Sequence, residues 1–288
     1  ENLAVPRFYN QTIRHLKLDG NKKNQTTTRN AYGNYGTYGN STFEDLRVTE
    51  FASYGFDPHE NSYAPIPTVA LTIKDSLSDH NGQDGITIDN LEYSLIADNI
   101  ADSNKRHGIN VVTATRHTNF FNNVATYNGT GGSGNGITVQ PGAIDLSRTS
   151  DSNLFEGNIS RYNKTSGIYS YLGQNNEYRN NIVEYNGTYG IRLRSSSYNI
   201  VSGNKLLNNS QALKGGYAEI YIDDDTATFS TENLVQGNTI VNNPVIDQAK
   251  WGIAEKNIYN AGNTYISNLI QGITKQYRVY TPPSEIIV

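Results

Sequence analysis

The chain has 288 residues, of which 17% are charged, and its formal net charge is -4. This balance argues against a nucleic-acid-binding protein, which would normally carry a basic excess, and no run of about 18 apolar residues predicts a membrane span. Cysteine is absent, which excludes disulfides and thiolate metal sites. The chain also lacks an initiator Met and a signal-peptide pattern, so it is expected to be a processed or excised piece.

Two features stand near the start of the chain. The segment LDGN spans Leu18 to Asn21, and a Tyr- and Gly-rich stretch, NAYGNYGTYGN, spans Asn30 to Asn40. Such polar, glycine-rich sequence is typical of surface loops, so the second stretch is predicted to be a loop over the rest of the fold. The next distinctive segment is YGFDPHE, Tyr54 to Glu60, which contains a phenol, an imidazole and two carboxylates within seven residues.

An internal repeat of about 23 residues follows. A Gly followed by an apolar residue recurs in steps of 30, 23, 28, 31 and 23 residues, and the longer steps are interpreted as the same unit with inserted loops. These landmarks are Gly55-Phe56, Gly85-Ile86, Gly108-Ile109, Gly136-Ile137, Gly167-Ile168 and Gly190-Ile191. Two Asn positions recur between them, one at Asn99, Asn123, Asn158, Asn181 and Asn204, and one at Asn81, Asn104, Asn128, Asn163 and Asn186.

The segments after the glycines alternate apolar and polar residues, as in Ile109-Asn110-Val111. That is the period of a strand, and no segment carries a helical period for ten residues or more. Short strands in a repeating unit predict an all-β fold, a parallel β-helix. In this interpretation the residue after each Gly points inward, Gly supplies bends, and corner Asn side chains bond along the stack. A β-sandwich would not need the repeating Asn and Gly register.

No domain boundary is evident, so residues 1–288 are predicted to form one catalytic β-helix domain. The repeat fades from about Ala249, and the last part of the chain contains Pro282-Pro283. An uncovered coil would expose free strand edges. Residues 249–288 are therefore predicted to be a tail that caps the last rung.

The repeat also predicts which side chains share the outer wall. Residues two and four positions after each Gly point outward, and rungs lie about 4.8 Å apart. The first column contains Asp57, Thr87, Asn110, Thr138, Tyr169 and Arg192, and the second contains His59, Asp89, Val112, Gln140, Tyr171 and Arg194. Tyr54, Arg106 and His107 stand just before their glycines. This predicts a groove with titratable groups at one end and arginines at the other, suited to an extended polyanion.

A charged outer wall is usually only solvated, so this groove has an alternative interpretation without function. The individual residues also have interpretations without catalytic function. Tyr54 could serve packing, Asp57 could cap a turn and Asp89 could hold Arg106. Against this, acid, imidazole, phenol and guanidinium groups concentrate over three rungs, as expected of an active site.

The residues YGFDPHE and RHGINVV, Arg106 to Val112, with LDGN upstream, closely resemble the catalytic A-modules of bacterial mannuronan C5-epimerases. The resemblance runs through roughly residues 12 to 225. It implies a right-handed parallel β-helix that acts on alginate outside the cell and converts mannuronate to guluronate by removing and returning the C5 proton. It also implies catalytic roles for Tyr54, Asp57, His59 and Arg106, with Lys17 matched to a family lysine.

The roles of these groups follow from the chemistry of removing a proton beside a carboxylate. A cation, Arg106 or Lys17, would disperse the charge that builds on the sugar carboxylate as the proton leaves. His59 is predicted to be the base and Tyr54 the acid, or the reverse. The predicted substrate-binding residues are Asp19, Asp89, His107, Asn110, Gln140, Arg192 and Arg194.

Other functions remain open at this point. An alginate lyase begins with the same proton abstraction, and a non-catalytic adhesin or tail spike could grip polysaccharide on the same coil. The predicted partner is alginate or another uronan such as pectate, with no nucleic acid or membrane, and the protein is predicted to be a secreted or cell-surface monomer. No cofactor or metal is expected for the chemistry, and a structural calcium ion is left open.

Overall fold

Short parallel strands dominate the computed structural model, which describes residues 7–24, 34–58, 67–143, 145–243, 249–280 and 285–287. In chain order the first sixteen strands are β1 Arg7–Tyr9, β2 Thr12–Asp19, β3 Asn34–Gly39, β4 Thr42–Thr49, β5 Phe56–Pro58, β6 Thr68–Val69, β7 Thr72–Lys74, β8 Leu77–Asp79, β9 Ile86–Asp89, β10 Leu91–Glu92, β11 Leu95–Ala97, β12 Ile100–Asp102, β13 Ile109–Val112, β14 Asn119–Phe121, β15 Val124–Thr126 and β16 Ile137–Val139.

The second half of the chain continues the same pattern. Its strands are β17 Leu154–Glu156, β18 Ile159–Arg161, β19 Ile168–Tyr171, β20 Glu177–Arg179, β21 Ile182–Glu184, β22 Ile191–Arg194, β23 Ile200–Ser202, β24 Lys205–Leu207, β25 Ala218–Asp223, β26 Leu234–Gln236, β27 Thr239–Val241, β28 Trp251–Glu255, β29 Thr264–Ile266, β30 Leu269–Gln271, β31 Tyr277–Arg278 and β32 Glu285–Ile287. One 3-10 turn, Lys22–Asn24, is the only helical element in the described part of the chain.

These strands stack into the predicted right-handed parallel β-helix, which confirms the fold class. An 11-stranded sheet runs from β1 through β3, β5, β9, β13, β16, β19, β22, β25 and β28 to β31. A 19-stranded sheet contains two columns that join at β4, because β4 pairs with both β7 and β8. A separate two-stranded sheet consists of β6 and β10. In sequence, each of these strands follows a strand of the 11-stranded sheet and precedes a strand of the 19-stranded sheet. Every strand pairing is parallel, so each rung sits directly on its predecessor.

The core consists of aligned apolar side chains from successive rungs. The residue after each landmark Gly is buried, as predicted, and the stacked set comprises Phe56, Ile86, Ile109, Ile137, Ile168 and Ile191. Phe120, Phe155 and Tyr178 stack in the opposite sheet, with ring centroids 4.5 and 5.1 Å apart. Full burial of such side chains stabilises a fold by about 1.5–3 kcal/mol each.

Buried asparagine ladders satisfy the backbone at the corners. Along the ladders, most Asn side chains donate to a backbone carbonyl and to the Asn oxygen of the next rung, and accept from the backbone N–H of the previous rung. Asn128 and Asn163, for example, are joined by two bonds of 3.0 Å. The two predicted Asn columns form such ladders, and Asn153, Asn176, Asn199, Asn233 and Asn263 form a third. The predicted bonding of corner Asn along the stack is confirmed.

The landmark glycines serve a different purpose from the predicted bends. Their φ angles are not positive. A Cβ on Gly108 would lie 2.7 Å from the Nδ2 of Asn128 and 2.7 Å from the carbonyl oxygen of Gly136. Glycine is therefore needed because the backbone approaches the ladder of the next rung closely, which explains why Gly and Asn recur together.

Two regions differ from, or extend, the sequence interpretation. The Tyr- and Gly-rich stretch was predicted to be a loop, but Asn34–Gly39 is strand β3, which pairs with β1 and β5; residues 30–33 lie outside the described residues. The residues of β3 show no alternation of apolar and polar side chains, so no strand was predicted there. In the region 249–288, β28 to β32 continue both sheets, and its role as a cap stays a prediction.

Candidate active site

The outward face of the 11-stranded sheet aligns the predicted groove residues. Asn110 pairs in register with Thr87 and Thr138, and Tyr169 pairs with Thr138 and Arg192. Asp57 follows Phe56, whose partner is Ile86, so it falls in the same column. The predicted first column is confirmed in its register, and the site can be built from it.

Arg106 is held rigidly by a carboxylate beneath it. Its Nε donates to Asp84 Oδ1 at 2.7 Å and its Nη2 to Asp84 Oδ2 at 2.5 Å. Asp84 is fully buried and also accepts bonds from the His107 backbone N–H, the Asn110 amide and the Thr87 hydroxyl. Burial alone would raise the pKa of Asp84, but Arg106 and His107 outweigh it and hold the pKa below its usual value. The pair therefore stays ionised.

Tyr54 lies over this fixed guanidinium. The Arg106 Cζ is 5.5 Å from the centroid of the Tyr54 ring, a cation–π distance. Burial raises the pKa of Tyr54, and the charge of Arg106 opposes that rise only in part. The phenol thus keeps its proton at neutral pH and can donate it. Asp57 is buried on β5, one strand before the rung of Asp84.

His107 faces the next rung rather than Tyr54. Its Nδ1 accepts the Asn135 backbone N–H at 3.0 Å and lies 3.2 Å from the Thr138 hydroxyl oxygen. A ring nitrogen that accepts a backbone N–H is unprotonated, so a neutral His107 carries its proton on Nε2. Burial lowers the pKa of His107, Asp84 opposes this and Arg106 adds to it. His107 is therefore neutral at pH 7 and can offer one N–H donor.

A second arginine repeats the arrangement of Arg106 three rungs further along the sheet. Arg192 donates from Nε and Nη2 to Asp223 at 3.0 and 2.5 Å, and its Cζ lies 5.4 Å from the Tyr169 ring and 5.1 Å from the Tyr189 ring. Between the two arginines is a cleft of about 410 Å³ that is lined by His107, Asn135, Tyr169, Tyr189, Arg192 and Tyr217, among others. The cleft joins the predicted substrate-binding residues His107 and Arg192.

The remaining predicted groove residues lie on the same face. Gln140 donates to Asn110 at 3.0 Å, and the Arg194 Cζ lies 5.4 Å from the Tyr171 ring. Tyr171 donates to Asp225 at 2.8 Å. Asp89 is buried and pairs in register with Val112. The carboxylate that hydrogen-bonds Arg106 is Asp84, and the alternative in which Asp89 holds Arg106 stays an interpretation.

The structure does not bring Lys17 and Asp19 to this group. Both lie on β2 in the 19-stranded sheet, where Lys17 pairs with Arg47 across the strands and its Nζ is 3.2 Å from Asp19 Oδ2. Both side chains are about half exposed. Their predicted roles stay predictions without geometric support. His59 lies outside the described residues, so its predicted position opposite Tyr54 also stays a prediction.

The sequence reasoning missed Asp84 and Asp223, the carboxylates that fix the two arginines. The glycine register contained a signal for the first. Gly85 and Gly108 are equivalent landmarks, so Asp84 and His107 are equivalent positions, and Arg106 is one residue away. Asp223 pairs in register with Arg194, so the outward column would have placed it beside the Arg192 strand.

Neither a metal group nor a membrane span emerges from the described ranges. Among those residues no three His, Asp or Glu side chains gather as metal ligands would. In the same part of the chain no helix has the length and apolar character to cross a bilayer. The alternative of a structural calcium ion stays a prediction.

The site can now be set beside known proteins. Mannuronan C5-epimerase AlgE2 from Azotobacter vinelandii is 31% identical over 94% of this chain, and the match spans 27% of that relative. The A-module of mannuronan C-5 epimerase AlgE6 from the same organism has a TM-score of 0.85 at 29% identity, with 97% of this chain and 74% of that chain covered. Alginate lyase 7 of A. vinelandii is 34% identical over 36% of this chain and 12% of its own length.

The chain thus spans about a quarter of the length of the first curated relative, and most of one solved A-module. The family model described as the right-handed beta helix region matches residues 127–277, more than half of the sequence. The resemblance to mannuronan C5-epimerase A-modules is confirmed by these matches in sequence and structure, and the chain belongs to the right-handed beta helix family.

Proposed function

We propose that this chain is a mannuronan C5-epimerase, which converts mannuronate to guluronate within alginate. The observation that carries the proposal is the Arg106 guanidinium, clamped by buried Asp84 and covered by the Tyr54 ring. A fixed cation beside a protonated phenol is what proton transfer next to a carboxylate requires. The similarity to epimerases in sequence and structure supports the same reaction.

Arg106 would bind the carboxylate of the reacting sugar. The C5 hydrogen is a very weak acid because the adjacent carboxylate is already negative. As the C–H bond breaks, its electron pair delocalises onto that carboxylate, and a preorganised cation stabilises the developing charge. Asp84 contributes by holding the guanidinium in one orientation, so that little reorganisation is needed during the reaction.

Two groups on opposite faces of the sugar would move the proton. We assign His59 as the base that removes it and Tyr54 as the acid that returns a proton to the other face; the raised pKa of Tyr54 supports the second assignment. The reverse assignment would require an ionised Tyr54. Asp57 would orient these groups. No cofactor takes part in these steps.

The polymer would extend along the outward face of the 11-stranded sheet. Asp89, His107, Asn110 and Gln140 would contact the sugars near the reacting residue, and Arg192 and Arg194 would bind carboxylates further along. The cleft between His107 and Arg192 supports this direction of binding. Such a substrate lies outside the cell, so we propose a secreted or cell-surface protein that acts as a monomer.

The test is incubation of polymannuronate with the purified chain in deuterium oxide. The expected result is deuterium at C5 and new guluronate signals in the NMR spectrum, without new chain ends. Loss of both signals in Tyr54→Phe and His59→Ala variants would support the assignments. Full conversion by both variants would overturn them, and a parent chain with no exchange on any uronan would leave a polysaccharide-binding β-helix without catalysis.

A second candidate is an alginate lyase, which the similarity to alginate lyase 7 favours. After the same proton abstraction, the intermediate would expel the O4-linked sugar and leave a 4,5-unsaturated end. Growing ultraviolet absorbance of that end on polymannuronate would identify the lyase, and its absence during C5 exchange would identify the epimerase.

A further inference from the structure

A ladder of tyrosines, two exposed and one half-buried, lies at one corner of the coil, outside the groove. Tyr127, Tyr162 and Tyr185 directly follow β15, β18 and β21, which are consecutive rungs. Their rings stack with centroids 5.1 and 5.3 Å apart and planes 9° from parallel. Tyr127 is 54% exposed and Tyr162 is 41% exposed, so the rings are not part of the core.

The backbone at this corner is unfavourable for tyrosine. The three residues have φ angles of 53°, 55° and 54°, in the left-handed region that bulky side chains rarely adopt. The rungs on either side have Ser103 and Asn208 at the same position, with φ of 54° and 49°. Small polar residues thus satisfy the turn, so the turn itself does not require tyrosine, and the three rings contact one another along the column.

Two lysines accompany the ladder. Lys105 and Lys164 each follow a buried ladder asparagine, and both are exposed. Glycine at position 129 leaves room for the Lys164 side chain, because a Cβ on Gly129 would lie 2.5 Å from the Lys164 Cβ. Two acids stand in the strand column beside the ladder, Glu184, which is 3.7 Å from Arg161, and Asp102, which pairs in register with Thr126. Lys105, Lys164 and Arg161 outnumber these two acids by one charge. The surface formed by Lys105, Tyr127, Tyr162, Lys164 and Tyr185, here called the corner strip, is therefore positive and aromatic.

The corner strip is continuous with the candidate active site. A cleft of about 400 Å³ at the same corner is lined by Lys22, Ser53, Gln83, Lys105 and Gly131, among others. Ser53 precedes Tyr54 in the chain, and Lys105 precedes Arg106. A polymer that leaves the site through this cleft would pass Lys105 and reach the tyrosines.

We propose that the corner strip is a second binding surface for an acidic polysaccharide, which holds a part of the polymer that is not in the catalytic groove. The face of the Tyr127 ring toward Ser103 has no aromatic neighbour in its column and can stack on a sugar ring. The row of phenol hydroxyls can bond sugar hydroxyls, and the two ammonium groups bind carboxylates. The identity of the polymer as a uronan rests on the proposed function.

The test measures polymer binding with catalysis removed. In a Tyr54→Phe background, Tyr127→Asn with Tyr162→Asn, and separately Lys105→Gln with Lys164→Gln, are expected to weaken binding to polymannuronate about tenfold in affinity electrophoresis. Asn tolerates the left-handed turn, so the tyrosine variant should unfold at the parent's temperature. In the active parent, turnover of short oligomannuronates that fill only the groove should not change.

The matched control is Tyr93→Asn with Tyr198→Asn. These tyrosines are also exposed, 63% and 56%, and left-handed, with φ of 51° and 60°, but they lie at another corner. The proposal would be overturned if the corner-strip variants bound polymannuronate as tightly as the Tyr54→Phe parent. It would also be overturned if the control variant weakened binding as much as the corner-strip variants do. Weaker binding in both strip variants would uphold it even if no C5 exchange occurs, which separates this inference from the epimerase assignment.

Discussion

The Arg106 guanidinium and the Asp84 carboxylate form a two-bond ion pair in which the acid is fully buried and the arginine side chain is 36% exposed. The asymmetry sets the energetics of the pair. Loss of Arg106 leaves a charge in the protein interior, whereas loss of the Asp84 charge leaves a cation that water can reach. Arg106 is thus required both for the proposed chemistry and for the stability of the rung on which it lies.

Replacement of Arg106 by Met should lower the free energy of unfolding by about 3 kcal/mol, since removal of one partner from a buried pair typically costs about 3–5 kcal/mol. Asp84→Asn should cost less, because Asn can still accept the His107 N–H and the exposed side of Arg106 is solvated. The double variant should recover part of the loss. Denaturant unfolding of all three in a double-mutant cycle measures this, and strictly additive effects would contradict the coupling.

The interior of the Asn ladder predicts a second stability effect. Asn163→Ala removes the acceptor for the Asn128 backbone and side-chain N–H groups and the donor to the Ala125 carbonyl. Each buried group left without a partner costs about 1–3 kcal/mol, so the variant should be severely destabilised or fail to fold. The control is Asn180→Gly, an exposed left-handed position with Gly157 and Gly203 on the adjoining rungs. Thermal unfolding should show little change for the control, and equal losses would refute this account.

The fold was predictable because its signals are periodic. Each landmark Gly is followed by an inward residue, and the Gly is required by the close approach of the Asn ladder. One physical constraint therefore makes both Gly and Asn recur in the sequence. Strand β3 was missed because its residues, Asn34–Gly39, show no apolar alternation and are specified by pairing with β1 and β5. Local sequence does not encode that kind of strand.

The candidate site was predictable only where it follows the register. The outward column placed Asn110, Tyr169 and Arg192 correctly, since a period of two fixes the face of every residue in a strand. Asp84 stands before the Gly, where the strand alternation does not apply, so only its equivalence to His107 in the glycine register could have located it. Lys17 was matched to a family lysine only from the residues that surround it in sequence, and its strand lies in the 19-stranded sheet.

The lowered pKa of His107 predicts how stability depends on pH. The free imidazole has a pKa of about 6.5, so below that pH the unfolded chain binds a proton that the folded chain still excludes. Stability should therefore fall as the pH drops from 7 to 5. His107→Gln should lose less stability than the parent over this interval. Thermal unfolding midpoints at the two pH values decide the matter, and identical slopes for His107→Gln and the parent would disprove the assignment.

Arg192 provides the last prediction, which concerns substrate binding at a distance from the reacting sugar. If Arg192 binds a carboxylate of the polymer equally in the ground state and the transition state, then Arg192→Gln should raise the KM for polymannuronate about tenfold and leave kcat unchanged. Asp223 would lose its partner, so the unfolding midpoint must be measured and the kinetics recorded well below it. Arg179→Gln, on the 19-stranded sheet, is the control and should change neither parameter. A fall in kcat with KM unchanged would move Arg192 from binding to the chemical step, and an unchanged KM and kcat would remove it from the groove altogether.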